Sequence, residues 1–184
     1  MGRMADPEPR RRILERYNDK KLWWLREIVL FIVLIAAVFI VFRFVIGIGI
    51  VGGDSMDPTL RDGDLVVYSR ICRQYRAGDV VSIRVPSGEY YVKRVAAVGE
   101  DVLDLRDGKV WVNGELLQKD TGYGETLEET GAVIYPYKVR EGNVFVLGDN
   151  REVSMDSRAF GEVNRRQIRG KIFFGIGPDG KREL

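Results

Sequence analysis

Ile28 to Phe42 is an uninterrupted run of fifteen apolar side chains, and no other stretch of this 184-residue chain limits its fold as much. A helix of that length spans only about 22 Å, short of a hydrocarbon core about 30 Å thick. Arg43 interrupts the run and Phe44-Val45-Ile46 resumes it, which makes nineteen residues available. Those reach about 28 Å if Arg43 snorkels toward the interface. Trp23 and Trp24 stand where an interfacial aromatic anchor belongs. A buried core helix is the alternative, and the all-round apolarity of the run argues against it. A cleavable signal peptide fits poorly, because the charged leader is long and Arg43 follows where small residues would mark a cut. The expectation is one transmembrane helix over residues 27–48.

Charge sets the orientation expected of that helix. Residues 1–26 carry eight Lys/Arg (Arg3, Arg10, Arg11, Arg12, Arg16, Lys20, Lys21, Arg26) against four acids, while the whole chain is only +2. The basic excess predicts a cytoplasmic amino-terminal segment, with residues 49–184 facing outward as one domain. Past residue 26 the chain is slightly acidic, so no basic face for nucleic acid is expected. With no histidine and only Cys72, neither a disulfide, a metal site nor a cofactor is expected. Cys72 reads as a small core or half-buried residue.

The outer segment shows little helical periodicity. Short β-rich runs (65–68, 80–83, 90–98, 102–105, 110–112, 144–147, 172–174) alternate with turn residues. Asp107-Gly108 and Asn113-Gly114 are hairpin signals between such runs. The expected fold class is mostly β: an antiparallel domain with a small β/loop insertion over residues 101–143, behind the one helix. Within the insertion, 118–143 is polar, with Gly122, Gly124 and Gly131 and acids at Glu125, Glu128 and Glu129, and reads as a loop excursion.

Three segments carry chemistry. Shortly after the apolar run comes Gly53-Asp54-Ser55-Met56-Asp57-Pro58-Thr59-Leu60, where Ser55 is a candidate nucleophile. No imidazole exists to activate it, so a Ser-His-Asp triad is excluded and a desolvated lysine is the available base. Lys93 interrupts the strand Tyr91-Val92-Lys93-Arg94-Val95-Ala96-Ala97. Strand alternation places it with Tyr91, Val95 and Ala97, and places Arg94 with Val92, Ala96 and Val98. Lys109 follows a turn and reads as solvated. The third segment, Gly148 to Gly161, is dense in Asp, Arg and Ser. There Ser154 could hold a neutral lysine without adding charge, and Asp156 could pair with Arg94 or with Arg158.

In this order and behind a single span, the three segments resemble those of bacterial type I signal peptidases. The likeness rests on residues 53–60, on Tyr-Val-Lys-Arg-Val at 91–95 and on Gly-Asp-Asn-x-x-x-Ser-x-Asp-Ser-Arg at 148–158, and extends over about 28–178. The resemblance implies a Ser/Lys endopeptidase at the outer face of the plasma membrane. Its substrates would be exported preproteins, cut after small residues of the Ala-x-Ala kind. It implies Ser55 as nucleophile, Lys93 as general base, Ser154 as the group orienting Lys93, and Asp156, Arg158 and Arg94 as structural. Many relatives carry a serine or threonine where this chain has Gly53. The oxyanion is therefore expected to rest mainly on backbone N–H, that of Ser55 first. A self-cleaving repressor protease shares the chemistry, but residues 1–26 offer no DNA-binding head. A dedicated-substrate or inactive homologue acting as an anchored scaffold is the remaining alternative, and both Ser55 and Lys93 are present.

Overall fold

The computed structural model describes residues 8–85, 87–118, 120–129 and 133–184, and for residues 8–21 the backbone alone. Gly131 and the basic side chains from Arg3 to Lys21 lie outside that description. The chain divides into a helical unit ending at Arg43 and a β unit, Phe44–Leu184.

Helix α1 is Glu8–Ile40, followed by a π-helical turn at Val41–Val45. Across this helix and turn, Leu22–Val45 contains an 18-residue window with a mean hydropathy of 3.2, none of it buried. The apolar helical length is thus gained at the amino end, where Trp23 and Trp24 meet edge to face. At the other end the expected boundary of 48 moves back. Ile46–Ile50 is strand β1, because Gly47 and Gly49 alternate with isoleucine and disfavour helix while allowing close strand contact.

The β unit then runs β2 Leu65–Ser69, β3 Val80–Arg84, β4 Tyr90–Val98, β5 Val102–Arg106, β6 Lys109–Val112, β7 Glu115–Leu116, β8 Tyr137–Lys138 and β9 Asn143–Leu147. After a one-turn helix α2, Ser157–Phe160, come β10 Val163–Asn164, β11 Ile168–Gly177 and β12 Gly180–Lys181. One sheet is ordered β1-β2-β11-β3-β4-β9-β10 with β12 on β11, and a second β7-β6-β5-β8. Among the described residues every pairing between these strands is antiparallel, as expected, and the isolated Tyr123–Asn150 bridge is parallel. Asp107, Gly108, Asn113 and Gly114 all take positive φ, the geometry that turns β5 into β6 and β6 into β7. Among its described residues the 118–143 excursion is mostly loop, with the short strand β8 inside it and the start of β9 at its end.

Three buried clusters hold the unit together. One, around Val81, Ile83, Val95, Val144 and Val146, fills the face of the larger sheet, with half-buried Cys72 at its margin. A second joins β4 and β9 to the smaller sheet through Leu103, Val110, Val139 and Phe145. The third seats the Ser55 segment, with Met56 and Leu60 packed on Val66, Tyr68, Val80 and Ile172. Alternation along β4 holds as far as Val95 and then breaks. A bulge in the β4–β9 pairing between Val95 and Ala97 turns Val98 toward the cluster that holds Val95, while Ala96 and Ala97 both enter the second cluster. Lys109 is exposed, as its place after a turn suggests.

The buried Tyr68 ring lies between Gly47 and Gly170. A Cβ at Gly47 would run into the ring, and one at Gly170 would sit 2.7 Å from Tyr68 Cδ2 and run into the Ser69 carbonyl. Gly49 is different, since its Cβ would meet Val66 at an ordinary 3.7 Å. Gly170→Ala is expected to cost about 1–3 kcal/mol of stability. Gly49→Ala should change it by no more than about 0.5 kcal/mol. Urea unfolding of the detergent-solubilised chain separates the two.

Candidate active site

Ser55 stands in a loop that β1 delivers and that backbone bonds close. Val51 N–H donates to the Asp64 carbonyl and Gly63 N–H to the Val51 carbonyl, pinching the loop at 2.8 and 2.9 Å. Leu60 N–H donates to Met56, and both side chains are sunk in the core. Gly53 takes φ +78°, a region that serine or threonine enters only with strain. Its N–H is spent on Asp62 Oδ1 at 2.8 Å. The Ser55 N–H, by contrast, has no acceptor among the described residues. The Ser55 carbonyl accepts from Asn150 N–H at 3.1 Å, tying this loop to the segment after β9.

Lys93 lies 38 residues away in sequence, and its Nζ is hydrogen-bonded to Ser55 Oγ at 2.6 Å. Its side chain is only 2 % exposed and its Nζ sits 5.5 Å from the centre of the Tyr91 ring. Burial pushes the amine down from its ordinary 10.5 to about 8, outweighing the upward pull of Asp156 and Asp149, with Arg158 adding to the lowering. This brings together the nucleophile and the base expected from the sequence.

The flanking charges are paired. Arg94 forms a buried fork on Asp149, Nε to Oδ1 at 2.8 Å and Nη2 to Oδ2 at 2.7 Å, and its Nη1 donates to the Gly78 carbonyl. The same guanidinium reaches Thr59 Oγ1 at 3.4 Å, so it also touches the Ser55 loop. Of the two partners open to Asp156, the structure selects Arg158. Arg158 Nε donates to Oδ1 at 2.9 Å and Nη2 to Oδ2 at 3.0 Å, while Asp156 caps α2 and accepts from Gly148 N–H. Arg94 turns to Asp149 because that residue lies two positions past the end of β9, whose last residue Leu147 pairs with Arg94.

Ser154 is the exception among the expected site residues. It is buried and packs against Gly148, whose missing Cβ leaves room for it beside the Ser55 carbonyl. Yet its Oγ has no hydrogen-bond partner among the described residues, so the expected bond to Lys93 is not made; the 2.6 Å contact of that amine goes to Ser55.

Two contributors escaped the sequence reading. Asp149 stood inside a quoted motif without a role, and Arg151 looked like one loop charge among several. Buried Arg151 donates to the Gly148 carbonyl and pairs with Asp120, so that it staples the polar excursion to the segment after β9. The Tyr123–Asn150 bridge adds backbone bonds at the same place. Only three-dimensional proximity reveals either role.

Ser55 and Lys93 open into a groove of about 680 Å³. One wall is Ile48–Gly53 and the other Tyr90–Lys93. Both walls offer free strand edges: β1 ends its sheet, and β9 joins β4 only from Arg94 onward.

Comparison with known proteins shows what the chain is similar to. The sequence profile of the family described as "Signal peptidase, peptidase S26" matches residues 24–176. Signal peptidase IB of Staphylococcus aureus is 34 % identical over 173 residues, covering 85 % of this chain and 88 % of its own. Signal peptidase I of Bacillus licheniformis is 33 % identical over 179 residues, covering 89 % and 94 %. A crystal structure of a signal peptidase I from Enterococcus faecalis superimposes with a TM-score of 0.46 at 26 % identity, over 54 % of this chain and 97 % of that one.

The paired charges predict asymmetric losses. Asp149→Ala leaves the Arg94 guanidinium buried without its partner and is expected to cost about 3–5 kcal/mol in urea unfolding, much more than the double change Arg94→Met with Asp149→Leu. Lys93 predicts a pH effect. Between pH about 8 and 10.5 the unfolded chain holds more protons at this site than the folded chain, so the lysine's contribution to stability rises with pH there. Lys93→Met should therefore be the more stable protein at pH 7, by up to about 3 kcal/mol, with the gap closing toward pH 10.5.

Proposed function

The chain belongs to the peptidase S26 family of signal peptidases, serine endopeptidases that remove signal peptides, and from that premise we propose that it works through a Ser55/Lys93 dyad on preproteins held at a membrane. One observation carries the reading: a buried lysine, lowered to about 8, within 2.6 Å of a serine hydroxyl at the floor of an open groove.

In its neutral form Lys93 accepts the proton of Ser55 as Oγ attacks the scissile carbonyl. Collapse of the tetrahedral intermediate passes that proton to the leaving amine, which is the new mature amino terminus. The released mature chain leaves an ester on Ser55. Water then gives its proton to Lys93 and attacks the ester, and collapse returns that proton to Ser55 Oγ as the signal peptide leaves with its new carboxylate. The unspent Ser55 N–H is the donor for the developing oxyanion, a role that Gly53 cannot share while its N–H serves Asp62. Rotation of the unpartnered Ser154 hydroxyl toward Nζ would hold the neutral amine without adding charge. Asp149, Asp156, Arg94 and Arg158 fix the segment around it.

The substrate is read as an extended strand laid between the free edges of β1 and β4, its backbone completing both ladders. The groove next to Ser55 is walled by Val51, Met56 and Val92, which suits small side chains of the Ala-x-Ala kind. The unburied apolar stretch Leu22–Val45 is long enough, at about 36 Å, to anchor the enzyme across a bilayer. The basic excess before it places the amino end in the cytoplasm and the β unit on the outer face of the plasma membrane.

The test is cleavage of a preprotein bearing an Ala-x-Ala site by the solubilised chain. Wild type should release the mature amino terminus, while Ser55→Ala and Lys93→Ala, both folded, should lose at least about a thousandfold in kcat/KM. In wild type kcat/KM should climb with pH to a plateau above about 8, as Lys93 loses its proton. Equal cleavage by Ser55→Ala would refute the dyad.

A further inference from the structure

Arg169 occupies the end of the groove remote from Ser55. The β3–β11 pairing slips between Ile168 and Gly170, so that Arg169 is the extra, bulged residue of β11. A bulge re-aims the side chain it carries. This one is locked by Gly170, which has no room for a Cβ against the Ser69 carbonyl. The guanidinium lies 4.5 Å from the centre of the Tyr90 ring and 5.9 Å from that of Tyr68. Tyr68, the farther ring, is itself wedged by Gly47, while Tyr90, the nearer one, lies exposed at the start of β4.

Stacking engages the face of a guanidinium and leaves its in-plane N–H donors free. Arg169 is exposed and has no carboxylate partner among the described residues. Glu89, the acid next to Tyr90, instead accepts from the hydroxyls of Ser87 and Tyr91. A pre-oriented cation with unspent donors therefore lines the same groove as Ser55 and Lys93.

From these observations we propose that Arg169 is a specificity-determining residue: it selects substrates with an acidic or carbonyl-bearing side chain at about the fourth position before the cut and rejects lysine or arginine there. The position follows from β4. Tyr90 and Lys93 are three residues apart, about 10 Å along a strand. A substrate strand lying beside β4 puts its fourth residue near Tyr90 when its first is at Lys93. That step rests on the reading of the groove given under Proposed function. Substrate is preferred to a lipid phosphate as the ligand because Arg169 lines the groove that contains the reacting serine.

The experiment uses the full chain in uncharged detergent and peptides with an Ala-x-Ala site that differ only at the fourth position before the cut, as Glu, Ala or Lys. For wild type, kcat/KM should fall in the order Glu, Ala, Lys, over about tenfold in all, as expected for attraction and repulsion at an exposed charge. Arg169→Ala should bring the three within about twofold, and Arg169→Glu should invert the order. Each ratio is internal to one protein, so partial misfolding of a variant does not alter it. The same Glu, Ala and Lys placed four residues after the cut should be treated alike by all three proteins. An unchanged Glu/Lys ratio in Arg169→Glu overturns the proposal, as does a preference confined to the far side of the cut. Sensitivity to Arg169→Glu seen only with phosphatidylglycerol vesicles, at a constant Glu/Lys ratio, would assign the residue to lipid phosphate and also overturn it. If wild type cleaves none of the peptides, the Ser/Lys reading itself fails and the role of Arg169 falls with it.

Discussion

Everything at this site depends on keeping the Lys93 amine out of water. An exposed lysine at its ordinary 10.5 is a cation at neutral pH and cannot take a proton from Ser55. At about 8 a useful fraction is neutral, and that shift comes first from burial. The strand around it supplies the burial. Lys93 through Ala97 are all buried, so the amine sits where β4 leaves its free edge and enters the interior beside β9. The cost falls on folding, since a protonated lysine in that place destabilises the native state. A more stable enzyme with methionine there would have no base.

Desolvation alone would be undone by unpaired acids nearby. Asp149 and Asp156 both pull the amine upward, and each is matched by a guanidinium, Arg94 and Arg158 respectively. Matching the charges lets two carboxylates organise the segment after β9 while limiting the field they exert on Lys93. These pairs also do mechanical work. Arg94 touches Thr59 in the Ser55 loop, and Asn150 N–H holds the Ser55 carbonyl, so the Ser55 loop, the Lys93 strand and the segment after β9 are tied together. Arg151 extends those ties into the polar excursion through Asp120.

The groove follows from incompleteness of the sheet. β1 has a partner on one side only, and β4 gains β9 only after Lys93. Two edges that would ordinarily invite aggregation flank the groove at Ser55, where an extended peptide could satisfy both. Glycines make the arrangement possible. Gly47 and Gly170 admit the Tyr68 ring, Gly148 admits Ser154, and Gly53 takes the positive φ of the loop.

The apolar run, the strands β2 to β6, β9 and β11, both hairpin turns and the Ser55/Lys93 candidates were legible in the linear chain, because each is a local property: hydropathy, alternation, turn chemistry and residue type. The chain also limited the base to something other than histidine, since none exists. Where elements end was less legible. The apolar run continues past its helix, and only pairing with β2 decides that Ile46–Ile50 is a strand. Alternation failed along β4 at a bulge that depends on β9, a partner some fifty residues away. Choice among partners was likewise a tertiary matter: Asp156 could meet either arginine by charge, and the Arg94–Leu147 register gives Arg94 to Asp149. The unpartnered Ser154 hydroxyl, the Arg151 staple and the bulged Arg169 have no local signature. Chemistry type is written in residue identity, but distances, burial and the lowered affinity of Lys93 for its proton arise only when strands distant in sequence exclude water together.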